Sequence, residues 1–217
     1  MKIVSDGKRL CSNVKDAGDE PYMLAVSLSN VPIIVGQKNH SLLAAYKDFN
    51  AKTVLLDDSF QTRKIKKNLD ILLIDVSVNI NQYRLLPQGR LREPLKALNR
   101  ANIIVFTKCN FDLGSKKKIK TLVQKNLSNK DVLVLDANYV SCLKRYEQRT
   151  NLLINFNSKI NEPAVAFCGI ANAAIFNKQA HEYCTKKIKI INFKDHCQYT
   201  QEDFSLIKKE LKDLGGS

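Results

Sequence analysis

The sequence contains no tryptophan, and aromatic residues make up only 7% of it. Basic and aromatic residues are not interleaved, so the pattern of a base-stacking surface for nucleic acid is missing. No apolar run reaches the length of about 18 residues that a transmembrane helix needs, and the opening M-K-I-V-S-D-G-K-R-L is not typical of a signal peptide. The six cysteines form no C-x-x-C pair and no zinc-like spacing, which favours reduced thiols in a cytoplasmic protein.

Acidic residues are scarce as well. The chain has 21 Asp and Glu against 35 Lys and Arg, a net charge of +14. This excess favours an anionic partner, which leaves nucleic acid, phosphorylated ligands and an anionic membrane surface open. The basic residues lie in short patches at 63–67, 116–120 and 186–189. Such patches are more typical of solvated edges of helices and strands than of binding sites.

Short apolar runs alternate with helical patterns along the chain. The runs, rich in β-branched residues, lie at 31–36, 53–58, 70–76, 102–108, 131–136, 164–169 and 187–193. The helical patterns lie at 20–29, 40–49, 94–101, 115–126, 172–185 and 201–213. This alternation predicts an α/β protein with a mainly parallel sheet flanked by helices.

The polar segment 137–162 breaks the alternation and closes with a proline. We therefore predict a domain boundary near 150–162. It separates a core domain, residues 1–150, from a second, smaller α/β domain, residues 151–217.

Acidic residues follow several predicted strands. Asp57 and Asp58 stand side by side after the run 53–56, and Asp75 ends the next one. Two neighbouring carboxylates repel each other unless a positive group offsets them. A divalent cation beside a nucleotide would do so, but the motif alone favours the alternative of turn or cap aspartates with one side chain in water, since aspartates are common at strand ends. Asp19, followed by Pro21, is a predicted helix N-cap.

Five motifs occur in a fixed order along the chain: G-D-E-P, L-D-D-S-F-Q, L-L-P-Q-G-R-L-R-E-P, F-C-G-I-A-N and F-K-D-H-C-Q-Y-T. Together they resemble the tetraacyldisaccharide 4'-kinases, the lipid A kinases of Gram-negative bacteria. The resemblance extends from about Val4 to Leu211. D-D-x-F-Q and L-L-P-x-G-x-L-R-E-P are its most specific elements.

The resemblance implies a P-loop-kinase-like core that uses ATP and Mg²⁺ to phosphorylate the 4'-hydroxyl of a lipid A disaccharide precursor. It implies peripheral attachment to the anionic cytoplasmic face of the inner membrane, and no nucleic acid partner. It also assigns roles to eight residues: Asp19 and His196 are catalytic, Asp57 and Asp58 bind metal and nucleotide, and Gln61, Arg63, Arg92 and Glu93 bind substrate.

The sequence departs from the family pattern at several points. Thr62 stands where the D-D-G-F-Q-H block has histidine, and Cys197 replaces the second histidine of D-H-H. The printed residues contain no G-x-x-x-x-G-K-S/T loop for the phosphates, and the chain closes with K-D-L-G-G-S. We therefore expect an N-terminally truncated family member that lacks its P-loop and its membrane anchor. Such a fragment would be inactive alone, would require a separate P-loop-bearing segment, and would be cytoplasmic without the anchor.

Two other interpretations stay open at this point. A protein derived from such a kinase could bind an anionic lipid or a sugar phosphate without chemistry. A different P-loop relative could act together with a separate nucleotide-binding subunit.

Overall fold

The computed structural model describes residues 1–111, 114–150 and 152–215. Its helices are α1 (Val14–Ala17), α2 (Asp19–Ser27), α3 (Lys38–Phe49), α4 (Lys116–Asn126), α5 (Ala173–Tyr183) and α6 (Gln201–Asp213). Its strands are β1 (Lys2–Asp6), β2 (Pro32–Val35), β3 (Ile71–Asp75), β4 (Ile103–Thr107), β5 (Leu133–Asp136), β6 (Lys144–Glu147), β7 (Leu152–Asn155), β8 (Ala164–Cys168) and β9 (Ile188–Asn192). Two short 3₁₀ helices cover Ile80–Gln82 and Leu95–Arg100.

The described strands form four small sheets. β3, β4 and β5 lie side by side in chain order, and β8 pairs with β9 in parallel. The hydrogen bonds show that the first three strands pair in parallel. Between β3 and β4, Asn102 donates to the carbonyl of Asp70 and Val76 donates to that of Thr107; between β4 and β5, Leu133 donates to the carbonyl of Asn102 and Ala137 to that of Phe106. β1–β2 and β6–β7 are antiparallel pairs. The predicted α/β class with a mainly parallel sheet flanked by helices is confirmed.

The chain divides into two compact units. The first contains residues Met1–Leu72, Leu91–Ile104 and Asn126–Leu133, and the second contains Leu73–Arg90, Val105–Lys125 and Val134–Ser217. A core of the first unit surrounds Val4, Ala17 and Ala25. In the second unit, Phe106 of β4 and Ile119 and Val123 of α4 are buried. The predicted boundary near 150–162 stays a prediction.

Several predicted elements need correction. The run 53–58 forms no strand in the part of the chain that is described, and the side chain of Leu55 within it is 92% exposed. An apolar run becomes a strand only where a neighbouring backbone can pair with it, which composition does not show. The helix predicted at 94–101 is the 3₁₀ helix at 95–100. The sequence analysis missed β1, β6, β7 and α1, because each is short and, in all but β7, half or more of the residues are polar.

The helices are short and mostly amphipathic. α6 begins with a capping box, in which Thr200 and Asp203 each bind the other's backbone N–H. Within the described ranges we find no helix whose length and apolarity together would suffice to cross a membrane.

Candidate active site

A guanidinium group offsets the second of the two adjacent aspartates. Nη1 of Arg92 lies 3.0 Å and 2.7 Å from the two carboxylate oxygens of Asp58, both within the first unit. This hydrogen bond is the main reason that the pKa of Asp58 is lowered, and it raises the pKa of Arg92. Both side chains are more than half exposed, so water screens the pair and its contribution to stability is small. The two residues come from the D-D-S-F-Q and L-R-E-P blocks, 34 positions apart.

Glu93 of the L-R-E-P block pairs with Arg63, which lies two residues after the D-D-S-F-Q block, and with Arg100. Oε1 of Glu93 accepts a hydrogen bond from Arg63 at 3.2 Å, and Oε2 accepts one from Arg100 at 2.5 Å. The bond from Arg100 contributes most to the lowered pKa of Glu93. Gln61 is exposed. The first unit thus brings Asp58, Arg63, Arg92 and Glu93 together in two ion pairs, while their roles in binding stay predictions.

Three basic residues beside these blocks were missed by the sequence analysis. Lys38, Lys67 and Arg100 donate to the backbone carbonyls of Asp58, Ser59 and Phe60, respectively. Lys67 belongs to the patch 63–67, which we expected to be solvated, yet its side chain is only 13% exposed and also pairs with Asp70 at 2.7 Å. Nothing in a run of lysines shows which one turns inward.

Asp19 is the first residue of α2 and lies in the first unit. The N-cap is Gly18, so the prediction of Asp19 as the cap is wrong by one position. The reason is conformational: the cap residue has φ 91° and ψ 157°, which glycine adopts without strain. Asp19 is exposed and sits in the first helical turn, where the helix dipole favours a carboxylate.

His196 lies in the second unit, on the loop between β9 and α6. Its backbone N–H donates to the carbonyl of Gly169 at 3.1 Å, and its φ is 54°. A side chain at Gly169 would meet the Lys194 carbonyl at 3.0 Å and Tyr199 Oη at 3.3 Å, so glycine permits this close approach. Tyr199 packs edge-on against Phe167 and Phe193. The loop that carries His196 is therefore held at both ends. The structure describes Asp19 and His196 in separate units, and their joint role stays a prediction.

A further carboxylate, Asp75, lies at the end of β3 in the second unit. It accepts hydrogen bonds from the N–H and hydroxyl of Ser77 at 2.9 Å and 2.6 Å, and from Lys108 at 2.6 Å. Burial raises its pKa, but these bonds outweigh burial and the pKa is lowered. Tyr83 donates to the Asp75 carbonyl, and burial raises the pKa of this tyrosine strongly.

The aspartate pair fits Mg²⁺ only in part. Oδ1 of Asp57 accepts the N–H of Asp58, and within the described part of the chain the other oxygen is available to a cation. Both oxygens of Asp58 are bound by Arg92. No group of three or more Asp, Glu, His or Cys residues suited to a metal occurs among the described residues. Mg²⁺ that is bound together with phosphates needs only one or two carboxylates as protein ligands, and Asp57 can supply one.

Comparison with known proteins gives a consistent result. The family model described as tetraacyldisaccharide-1-P 4'-kinase matches residues 1–215. A protein of Halothermothrix orenii, named tetraacyldisaccharide 4'-kinase, is 33% identical over 216 residues, covering 94% of this chain and 56% of its own length. Proteins with the same name from Desulfotalea psychrophila and Elusimicrobium minutum are each 32% identical and cover 99% of this chain, with 61% and 56% of their own lengths matched.

The chain therefore spans somewhat more than half the length of these relatives. No solved structure matches it.

Proposed function

Because the chain belongs to the tetraacyldisaccharide-1-P 4'-kinase family, we propose that it takes part in lipid A biosynthesis by transferring phosphate from ATP to the 4'-hydroxyl of a tetraacyldisaccharide 1-phosphate. One observation carries the proposal beyond the family match. The D-D-S-F-Q and L-R-E-P blocks are distant in sequence, yet in the first unit they are joined by the pair Asp58–Arg92, and Arg63, two residues after the first block, pairs with Glu93 of the second. Phosphoryl transfer depends on this kind of positioning and on charge placed around the phosphates.

The residues have distinct roles in this proposal. Asp19 is the general base that accepts the proton of the 4'-hydroxyl, and His196 assists it by orienting the carboxylate or sharing its proton. Arg92 binds a phosphate of a substrate, since a guanidinium fork matches phosphate oxygens. Glu93 holds the side chain of Arg63 in place, and Gln61 completes the acceptor surface.

Asp57 is the residue that would hold Mg²⁺. The ion, when bound, would neutralise negative charge on the phosphates of the nucleotide. Asp58 keeps Arg92 oriented until a phosphate competes for the guanidinium, and only then is its carboxylate available as a second ligand.

We place the reaction at the cytoplasmic face of the inner membrane, with the protein bound peripherally. The net charge of +14 supports attraction to a surface of anionic lipids. The acceptor is itself an amphiphile that carries a phosphate. The same positive charge would therefore attract both the acceptor and the anionic membrane surface.

The test is transfer of ³²P from γ-labelled ATP to purified tetraacyldisaccharide 1-phosphate. The printed sequence holds no G-x-x-x-x-G-K-S/T pattern, so the chain is assayed both alone and joined to a family segment that carries one. We expect label at the 4'-position in the joined form, and none on a matched acceptor whose 4'-hydroxyl is already blocked. Absence of label from both forms would contradict the proposal. Binding of the acceptor without transfer in either form would favour the alternative, a binding protein for anionic lipid or sugar phosphate.

A further inference from the structure

We propose that Lys38, Lys67 and Arg100 act as positioning residues, forming a carbonyl clamp that fixes the backbone of residues 58–60. The inference rests on the proposed function in one respect: the segment that the clamp fixes contains Asp58 and adjoins Asp57 and Gln61, to which that function assigns roles. None of the three was singled out by the sequence motifs. They reach the segment from α3, from the patch 63–67 and from the end of the 3₁₀ helix at 95–100.

The contacts are made to three consecutive carbonyl groups. Nζ of Lys38 lies 2.6 Å from the oxygen of Asp58, Nζ of Lys67 lies 2.9 Å from that of Ser59, and Nη2 of Arg100 lies 3.3 Å from that of Phe60. Hydrogen bonds from charged donors are stronger than those from neutral ones. The segment lies outside the helices and strands, so these three bonds, together with the backbone bond from the N–H of Thr62 to the carbonyl of Ser59, hold it in place of the hydrogen bonds of a regular element.

The backbone of the segment needs such support. Asp58 has φ 43°, a left-handed conformation that residues other than glycine adopt infrequently and that persists where the surroundings determine it. Ser59 is buried, and its hydroxyl donates a hydrogen bond to the carbonyl of Leu56. If the clamp loosened, Asp58 would relax toward an ordinary conformation, and its carboxylate would move away from Arg92.

Arg100 contributes more than one contact. Its guanidinium carbon lies 4.5 Å from the centre of the Phe60 ring, and the same group donates to Glu93. It therefore ties the D-D-S-F-Q segment to the L-R-E-P segment directly. A lysine at position 100 would keep the positive charge, but it could not stack on the Phe60 ring and also bridge the Phe60 carbonyl and Glu93. Arg100→Lys is for this reason the sharpest substitution, and Lys67→Met removes a donor while keeping the length of the side chain.

Hydrogen exchange of the backbone amides, measured on the chain as printed, tests the clamp without any activity. We expect Arg100→Lys and Lys67→Met to accelerate exchange in peptides covering 58–62 by about tenfold, with peptides covering β1 changed less than about twofold. Lys66→Met is the matched control, because the side chain of Lys66 is exposed in the same unit. Unchanged exchange at 58–62, or equal acceleration in β1, would overturn the proposal, since the latter indicates general loss of stability.

Steady-state kinetics of the 4'-transfer separates positioning from simple stabilisation. Misplaced groups slow the chemical step, so Arg100→Lys should lower kcat about tenfold while the KM for ATP stays within about twofold. An unchanged kcat would contradict the clamp's role in catalysis. If the unsubstituted protein transfers no phosphate, the proposed function fails, and the exchange result still decides whether the clamp exists.

Discussion

Asp75→Asn probes the strand-end ion pair of the second unit. The asparagine keeps the shape and still accepts from Ser77, but its amide nitrogen cannot accept from Lys108. Asp75 and Lys108 side chains are 29% and 27% exposed, so the lost bond is partly shielded from water. A hydrogen bond between charged groups contributes about 1.5–3 kcal/mol, and partial exposure places this one near the lower end, about 1.5–2 kcal/mol. For a chain of this length the melting temperature should fall by about 3–8 °C.

Thermal unfolding followed by circular dichroism measures the change. Asp136→Asn is the matched control, because Asp136 also ends a strand and pairs with a lysine, Lys120, but is 48% exposed. We expect Asp136→Asn to lower the free energy of unfolding by less than about 1 kcal/mol.

The dependence on pH gives a second criterion. The pKa of Asp75 is lowered in the folded chain, so its stabilisation is present above the unfolded value near 3.9 and is lost as pH falls through the folded value. The difference between the parent protein and Asp75→Asn should therefore shrink below about pH 4. Equal losses in Asp75→Asn and Asp136→Asn, or a difference that does not shrink at all as pH falls below about 4, would refute the reasoning.

Two further predictions concern the loop after β3 and the net charge. Gly89→Ala should destabilise the second unit by more than about 2 kcal/mol, because the added Cβ would lie closer than 3.0 Å to the carbonyl oxygens of Arg84 and Gln82. At Gly114 an added Cβ would meet no atom within 4 Å among the described residues beyond its chain neighbours, so Gly114→Ala should cost only the left-handed strain of about 1–2 kcal/mol. Equal melting curves for the two variants would contradict this. With a net charge of +14, the protein should co-sediment with anionic vesicles at low salt. It should dissociate from them at high salt, because the Debye length falls to about 3 Å at 1 M. Binding that does not change with salt concentration, or equal binding to neutral vesicles, would contradict the electrostatic argument.

The strands of the parallel sheets could be predicted from the sequence because their signal is local. I-L-L-I-D and I-I-V-F-T are mostly apolar runs that contain β-branched residues, and each forms a strand within a residue or two of its predicted ends. T-V-L-L-D-D carries the same signal but has no strand neighbour among the described residues. K-I-V-S-D and K-R-Y-E pair as strands although half or more of their residues are polar. Pairing between distant segments decides these cases, and composition does not encode it.

The candidate site could be predicted only as a set of residues. The motifs named Asp58, Arg63, Arg92 and Glu93, but not that Asp58 would pair with Arg92 or Glu93 with Arg63. The positive partner expected beside the two aspartates is a side chain 34 positions away. Lys67 shows the same limit, because it looks like its exposed neighbour Lys66 until the chain folds around Ser59.

The most direct test of the central claim is a double-mutant cycle on the 4'-transfer reaction, in the form joined to a P-loop segment. A general base and the group that assists it act on one proton, so Asp19→Ala and His196→Ala should each lower kcat by about 10²–10⁴. The double variant should lose far less than the product of the two single losses. Near-normal transfer by Asp19→Ala, or losses that multiply in the double variant, would contradict the account.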